Sequence, residues 1–111
     1  MPTSTYKVLG QVAATATTTH NVYTVPAATQ AVISSVVVTN RNSNANATYR
    51  IAVQPAGAAL ANQHYVAYEA PVTAYDSVTL QMGISMGNTD ILSVYSANAN
   101  ISFSVFGVEI T

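Results

Sequence analysis

The sequence contains no cysteine and no tryptophan, and only three of its 111 residues are basic and four acidic. Without cysteine there can be neither a disulfide staple nor a thiolate metal site, and cysteine usage gives no reading of the redox compartment. The formal net charge is −1, so the electrostatic footprint that nucleic acid or an anionic membrane would require is missing. Lys, Arg, Asp and Glu make up 6% of the chain, against about 25% in an ordinary soluble domain. A surface this sparing of charge offers little repulsion between copies, so self-association is expected. Hydrophobic runs fall well short of the roughly 20 residues that span a bilayer. The opening MPTSTYKVLG has neither the basic region nor the apolar stretch of a signal peptide, so the chain is expected to be soluble and made in the cytoplasm. The length suits one domain over residues 1–111, large enough for a single core.

What the chain does have is apolar residues, at 50%, arranged with period two, the spacing that sends alternate side chains to opposite faces of a sheet. Val78, Leu80, Met82, Ile84 and Met86 alternate with Thr79, Gln81, Gly83, Ser85 and Gly87; Tyr49, Ile51 and Val53 alternate with Arg50, Ala52 and Gln54; Ile101, Phe103 and Val105 alternate with Ser102 and Ser104. The run Val36, Val37, Val38 is apolar on both faces. AVISSVVVTN is therefore expected to be a central strand, or one whose outer face meets another subunit. Beyond Val105 the apolar phase moves to Phe106, Val108 and Ile110. This predicts either a bulge near Gly107 or a strand covered on two sides.

Further strands are expected at Tyr6 to Val12, Asn21 to Val25, Tyr65 to Glu69 and Asp90 to Ser96. The fold class is therefore all-β, an antiparallel sandwich of about eight strands, jelly-roll-like or immunoglobulin-like, since strand order is not visible in a sequence. Pro26 breaks the chain after VYTV, and NRNSNANA supplies turn formers before Tyr49. QPAGAALANQ has local helical character, but Pro55 and Gly57 limit it to a single turn in a connection.

Gly83, Ile84, Ser85, Met86 and Gly87 spell the G-x-S-x-G of a hydrolase nucleophile elbow. That chemistry needs a strand, a strained turn and a helix, with an acid and then a histidine following the serine. Here the pattern lies inside strand alternation, and no histidine follows His64. Ser85 and its glycines are expected to form the small polar face of a strand, where another backbone could come close. His20 and His64 would have to converge with Glu69, Asp76, Asp90 or Glu109 to hold a metal, and their spacing does not require it. A strand-end hydrogen bond is the expected role of His64. No cofactor is expected. The sequons at Asn46 and Asn100 read as chance matches in a chain without a secretory signal.

Two surface features have open readings. Arg50 is either an inter-subunit anchor for a carboxylate or an edge-strand charge facing water. The seven tyrosines could offer a sugar platform, with Tyr65, Tyr68 and Tyr75 as exposed candidates, but the absence of tryptophan weighs against it.

The segments YKVLGQV (6–12), VYTVPAATQAVISSVVVTNR (22–41), TYRIAVQPAGAALANQHYVAY (48–68) and ISFSVFGVEIT (101–111) resemble a family of small virion structural proteins of tailed phages, particularly cyanophages and other marine phages. The Asn-rich turn at 42–46 departs from that pattern. The resemblance implies a β-rich, non-enzymatic virion component and leaves its position on the particle open. A capsid decoration or cement protein is expected, binding the major capsid protein and copies of itself, as a homotrimer at local symmetry axes. A tail, baseplate or fibre component, with glycan as a possible ligand, is the alternative. Few lysines guard the sheet edges, so at least one edge or outer face is expected to be covered by another chain. The interface candidates are Val36, Val37, Val38, Arg50, Phe103, Phe106, Val108 and Ile110.

Overall fold

The computed structural model describes residues 3–111; of the expected domain 1–111, Met1 and Pro2 lie outside the described residues. Each stretch with period-two patterning forms a strand: β1 (Ser4–Ala13), β2 (Thr18–Thr24), β3 (Gln30–Asn40), β4 (Ala47–Gln54), β5 (Tyr65–Val72), β6 (Ser77–Met86), β7 (Ile91–Ser96) and β8 (Ile101–Ile110). QPAGAALANQ yields only two short 3-10 turns, Pro55–Gly57 and Asn62–His64. Pro55 starts the first, and Ala56 and Gly57, with φ of 53° and 71°, turn it out of any continuing helix.

The strands pair antiparallel into two sheets of order β1-β8-β3-β6 and β2-β7-β4-β5. Consecutive strands mostly fall in opposite sheets, so the chain crosses the sandwich at nearly every turn. This is the eight-stranded jelly roll of two Greek keys, which separates the two topologies that the sequence left open.

Between the sheets lies one core. Ile33, Val36 and Val38 of β3 and Ile101, Phe103 and Val105 of β8 face Tyr49 and Ile51 of β4 and Leu92 and Val94 of β7, all fully buried or nearly so. Tyr49 and Phe103 meet edge to face across the layers, with ring centroids 6.3 Å apart and planes at 77°. Such a pair adds about 0.5–1.5 kcal/mol beyond its area burial.

Asn40 is a buried polar exception, and it is satisfied. Its Nδ2 donates to the Ala45 and Val72 carbonyls at 2.9 and 3.3 Å, and its Oδ1 accepts from the Asn42 N–H at 2.9 Å. The Asn-rich turn thus works through side-chain bonds to backbone: Asn42 Oδ1 accepts from Asn44 N–H, and Asn46 Oδ1 accepts from Ala74 N–H.

AVISSVVVTN is central, as expected, lying between β8 and β6. Its valines do not project to the outside as a set. Val36 and Val38 point into the core and only Val37 faces outward. The expected bulge at Gly107 is not in β8, whose inward and outward residues alternate without a break up to Gly107. The extra residues sit in both neighbouring strands, Leu9 of β1 opposite the Val105–Phe106 step and Ser34 of β3 opposite the Phe106–Gly107 step. Gly107 is where they converge: a Cβ there would stand 2.2 Å from the Val32 carbonyl oxygen and 3.0 Å from Leu9 Cδ1.

Candidate functional site

Ser85 lies exposed on the outward face of β6, the edge strand of the first sheet. The strand runs into a turn whose Gly87 and Asp90 are tied by Gly87 N–H to Asp90 Oδ2 (2.8 Å). Asp90 also takes the Ala56 N–H on Oδ1 at 2.7 Å, so its carboxylate clamps two connections. His20 Nε2 accepts from Thr15 N–H and His64 Nδ1 from Ala61 N–H, each at 3.0 Å. Both imidazoles therefore hold local backbone, the strand-end role expected of His64. The glycines flanking Ser85 are not crowded by backbone within this chain. Gly83 has no neighbour within 4 Å of where a Cβ would be, and Gly87 has only Asp90 Oδ2 at 3.8 Å. Among the described residues no group of three or more His, Cys, Asp and Glu side chains could hold a metal, and no helix is long and apolar enough to cross a membrane.

The interface candidates separate into three places. Val36, Val38 and Phe103 are buried in the core of their own chain, which removes them as contacts for a second one: period two placed them on the inner face. Val37, Phe106, Val108 and Ile110 lie half-buried on the outer face of the first sheet. Arg50 is on the outer face of the other sheet.

On the first sheet the register builds an apolar patch at one end. Tyr6 of β1 pairs with Val108 of β8, which pairs in turn with Val32 of β3; Val8 pairs with Phe106. Tyr6 is 85% exposed and Val8 47%. Toward the other end the same face turns polar, with Gln11 donating to Ser104 Oγ at 3.2 Å and Arg41, just past β3, donating to Ser102 Oγ at 2.8 Å. Tyr6, Val8 and Val32 are contact candidates that the sequence did not supply. Their strands alternate visibly, but only the pairing register puts them beside Val108 and Phe106.

On the second sheet Arg50 lies in β4, an inner strand, so it is not an edge-strand charge. Its guanidinium carbon lies 4.4 Å from the centroid of Tyr68 and 4.6 Å from that of Tyr95. Its Nε donates to Glu69 Oε2 at 2.9 Å, so a carboxylate of its own chain is already bound. Tyr65 closes the group edge to face on Tyr68, with centroids 4.9 Å apart. The register slips between Tyr49 and Ile51 of β4 as Ala67 gives way to Ala70 across β5, and Glu69 takes a left-handed φ of 52°. A bulge of this kind re-aims side chains, and here it brings Tyr68 and Glu69 to Arg50.

One charged cluster joins the two sheets. Tyr23 of β2 donates from its hydroxyl to Glu109 Oε2 of β8 at 2.6 Å, and Lys7 Nζ reaches Glu109 Oε1 at 3.1 Å. The Tyr23 and Lys7 hydrogen bonds hold the Glu109 carboxyl below the usual carboxylate range. Burial, and then the same carboxylate, push the Tyr23 phenol far above its ordinary value. The group is a clip between the layers.

No family model matches the sequence, and no curated protein sequence matches it. Solved structures resemble it in fold. A chain in the structure of infectious bursal disease virus, Gx strain, superposes with a TM-score of 0.52 at 12% identity, over 98% of this chain and 31% of that one. A chain in the acid-stable capsid structure of Helicobacter pylori bacteriophage KHP30 superposes with a TM-score of 0.51 at 10% identity, over 100% of this chain and 94% of that one. The present chain therefore spans about a third of the length of the first match and nearly all of the second.

Proposed function

We propose that this protein is a non-enzymatic structural component of a phage virion, a capsid decoration or cement protein that binds the major capsid protein lattice and stabilises the shell. The observation that carries the reading is the jelly-roll fold, on which a chain of a phage capsid structure superposes over nearly the full length of both. The resemblance of its strand and turn segments to small phage virion proteins points the same way. Its low charge and the partly apolar outer face of the first sheet suit cohesion between neighbours. Many copies each burying an interface of standard size, about 1,600 Å², act together on one shell.

A tail, baseplate or fibre role is the alternative, and one observation favours it: the Tyr65, Tyr68 and Tyr95 cluster is the kind of aromatic surface that adaptors and glycan binders use. Against glycan, the slot between Tyr68 and Tyr95 is filled by Arg50. Immunogold labelling of intact particles separates the two readings. Label over the whole shell, together with greater resistance of protein-saturated shells to heat or low salt, is the expected result. Label confined to one vertex, or a glycan-array signal lost in Tyr68→Ala, would move the protein to the tail; unlabelled particles would end both readings.

A further inference from the structure

The four sheet edges are not equivalent. β1 and β2 close one side of the sandwich together: Gly10 lies so near β2 that a Cβ on it would stand 2.1 Å from the Val22 carbonyl oxygen. Both strands are also bulged, at Leu9 and Val22, and β1 carries Lys7. On the other side β5 is interrupted by left-handed Glu69 and contains Pro71. Charge, proline and bulges are the devices by which proteins keep edges from pairing. β6 has neither charge nor proline over its ten residues, Ser77–Met86. It too has two residues, Met82 and Gly83, opposite one, Ser34 of β3, but its inward and outward alternation is unbroken.

β6 is also incompletely buried. Val78, Leu80, Met82 and Ile84 face the core but remain half-exposed, whereas Ile33, Val36 and Val38 on the adjacent β3 are fully covered. A row of main-chain donors and acceptors with no neighbouring strand therefore coincides with an open apolar rim. The strand that fits must alternate apolar and small uncharged residues in the same phase.

We infer that β6 pairs antiparallel with β6 of a second copy across a two-fold axis, joining two four-stranded sheets into one. The occupant follows from self-complementarity. With the axis at Met82, Leu80 lies opposite Ile84, Val78 opposite Met86, Thr79 opposite Ser85 and Gln81 opposite Gly83, so apolar residues meet apolar ones and no charges meet. The outer row is small, and the space over Gly83 is empty. A two-fold contact uses the same strand of both copies, so it consumes the β6 edge of each chain and ends at a dimer, where a head-to-tail contact would grow into a fibre.

Sedimentation equilibrium from low micromolar to near-millimolar protein tests this, with a Thr79→Lys, Gln81→Lys variant and a Ser4→Lys, Gln11→Lys control on the opposite edge of the same sheet. All four positions are exposed, and thermal melting checks that the fold is kept. The wild type and the control are expected to dimerise alike, and the β6 variant to dissociate about tenfold or more readily, because the charges introduced at position 81 of the two copies lie diagonally opposite each other across the axis. A monomer throughout, a trimer, or a dimer indifferent to the β6 lysines overturns the inference. The measurement needs no particle, so its failure leaves the virion reading intact, and unlabelled particles would leave the dimer intact.

Discussion

At the scale of single residues, Tyr23, Glu109 and Lys7 form a clip between the sheets. Glu109 has its carboxyl pKa lowered in the fold, so its contribution is present above the ordinary carboxylate value near 4.5 and is lost as pH falls through the lower folded value. Tyr23 has its phenol raised, so its contribution holds below about 10 and fades only as pH climbs beyond that. The clip is thus complete across the neutral range. Tyr23→Phe is expected to lower stability by about 1.5–3 kcal/mol at neutral pH, the range for a hydrogen bond to a charged group. The deficit is expected to shrink in acid, once Glu109 is protonated in both proteins. Urea denaturation at neutral pH and near pH 3 checks both statements, and a deficit independent of pH would mean that Tyr23 acts by packing alone. None of this pairing was legible in the sequence, where Glu109 is one acid on a strand and its partners lie 86 and 102 residues away.

At the scale of elements, period-two patterning located all eight strands because burying one sheet face forces alternate residues to be apolar. It located the faces better than the contacts. Val36, Val37 and Val38 read as a strand apolar on both faces, and the strand is central, but Val36 and Val38 belong to the core and only Val37 lies on the outer surface. The phase change after Val105 left open a bulge near Gly107 or a strand covered on two sides; the bulges lie in β1 and β3, and the Phe106, Val108 and Ile110 series is an apolar outer face. Gly107 is the structural consequence, pressed by the Val32 carbonyl of the bulged neighbour. Gly107→Ala is expected to cost about 1–3 kcal/mol, typical of overpacking. Gly83→Ala, with open space around it, is expected to be neutral or slightly stabilising, because alanine restricts the unfolded chain. Denaturation midpoints of the pair decide this, and equal effects would mean that the crowding at Gly107 relaxes freely.

At the scale of the whole molecule, the scarcity of charge fixes how association should respond to salt. The proposed pairing, through main chain and apolar contact, would involve no ion pairs and would not be screened by salt. Raising sodium chloride from about 0.05 to 0.5 M is expected to leave the dissociation constant of the dimer within about threefold, where an ionic interface would weaken far more. Sedimentation at the two salt concentrations reads this directly, and a strong loss of association in high salt would assign the contact to the few charged groups instead.

By itself the sequence determined the all-β class, the eight strands, the turn chemistry of the Asn-rich segment and the low charge that favours association. Those are local properties, set by alternation, by proline and asparagine, and by composition. Tertiary structure decided which strands are neighbours, and so which jelly-roll edges are left open. It decided that Arg50 already holds its own carboxylate between two tyrosines, and that Tyr6, Val8 and Val32 complete a patch with Val108 and Phe106. Left-handed backbone at Ala28, Glu69 and Thr89, on residues that do not favour it, carries no warning in the chain. These features depend on pairing register between residues far apart in sequence, and register is fixed only when both sheets close on the common core.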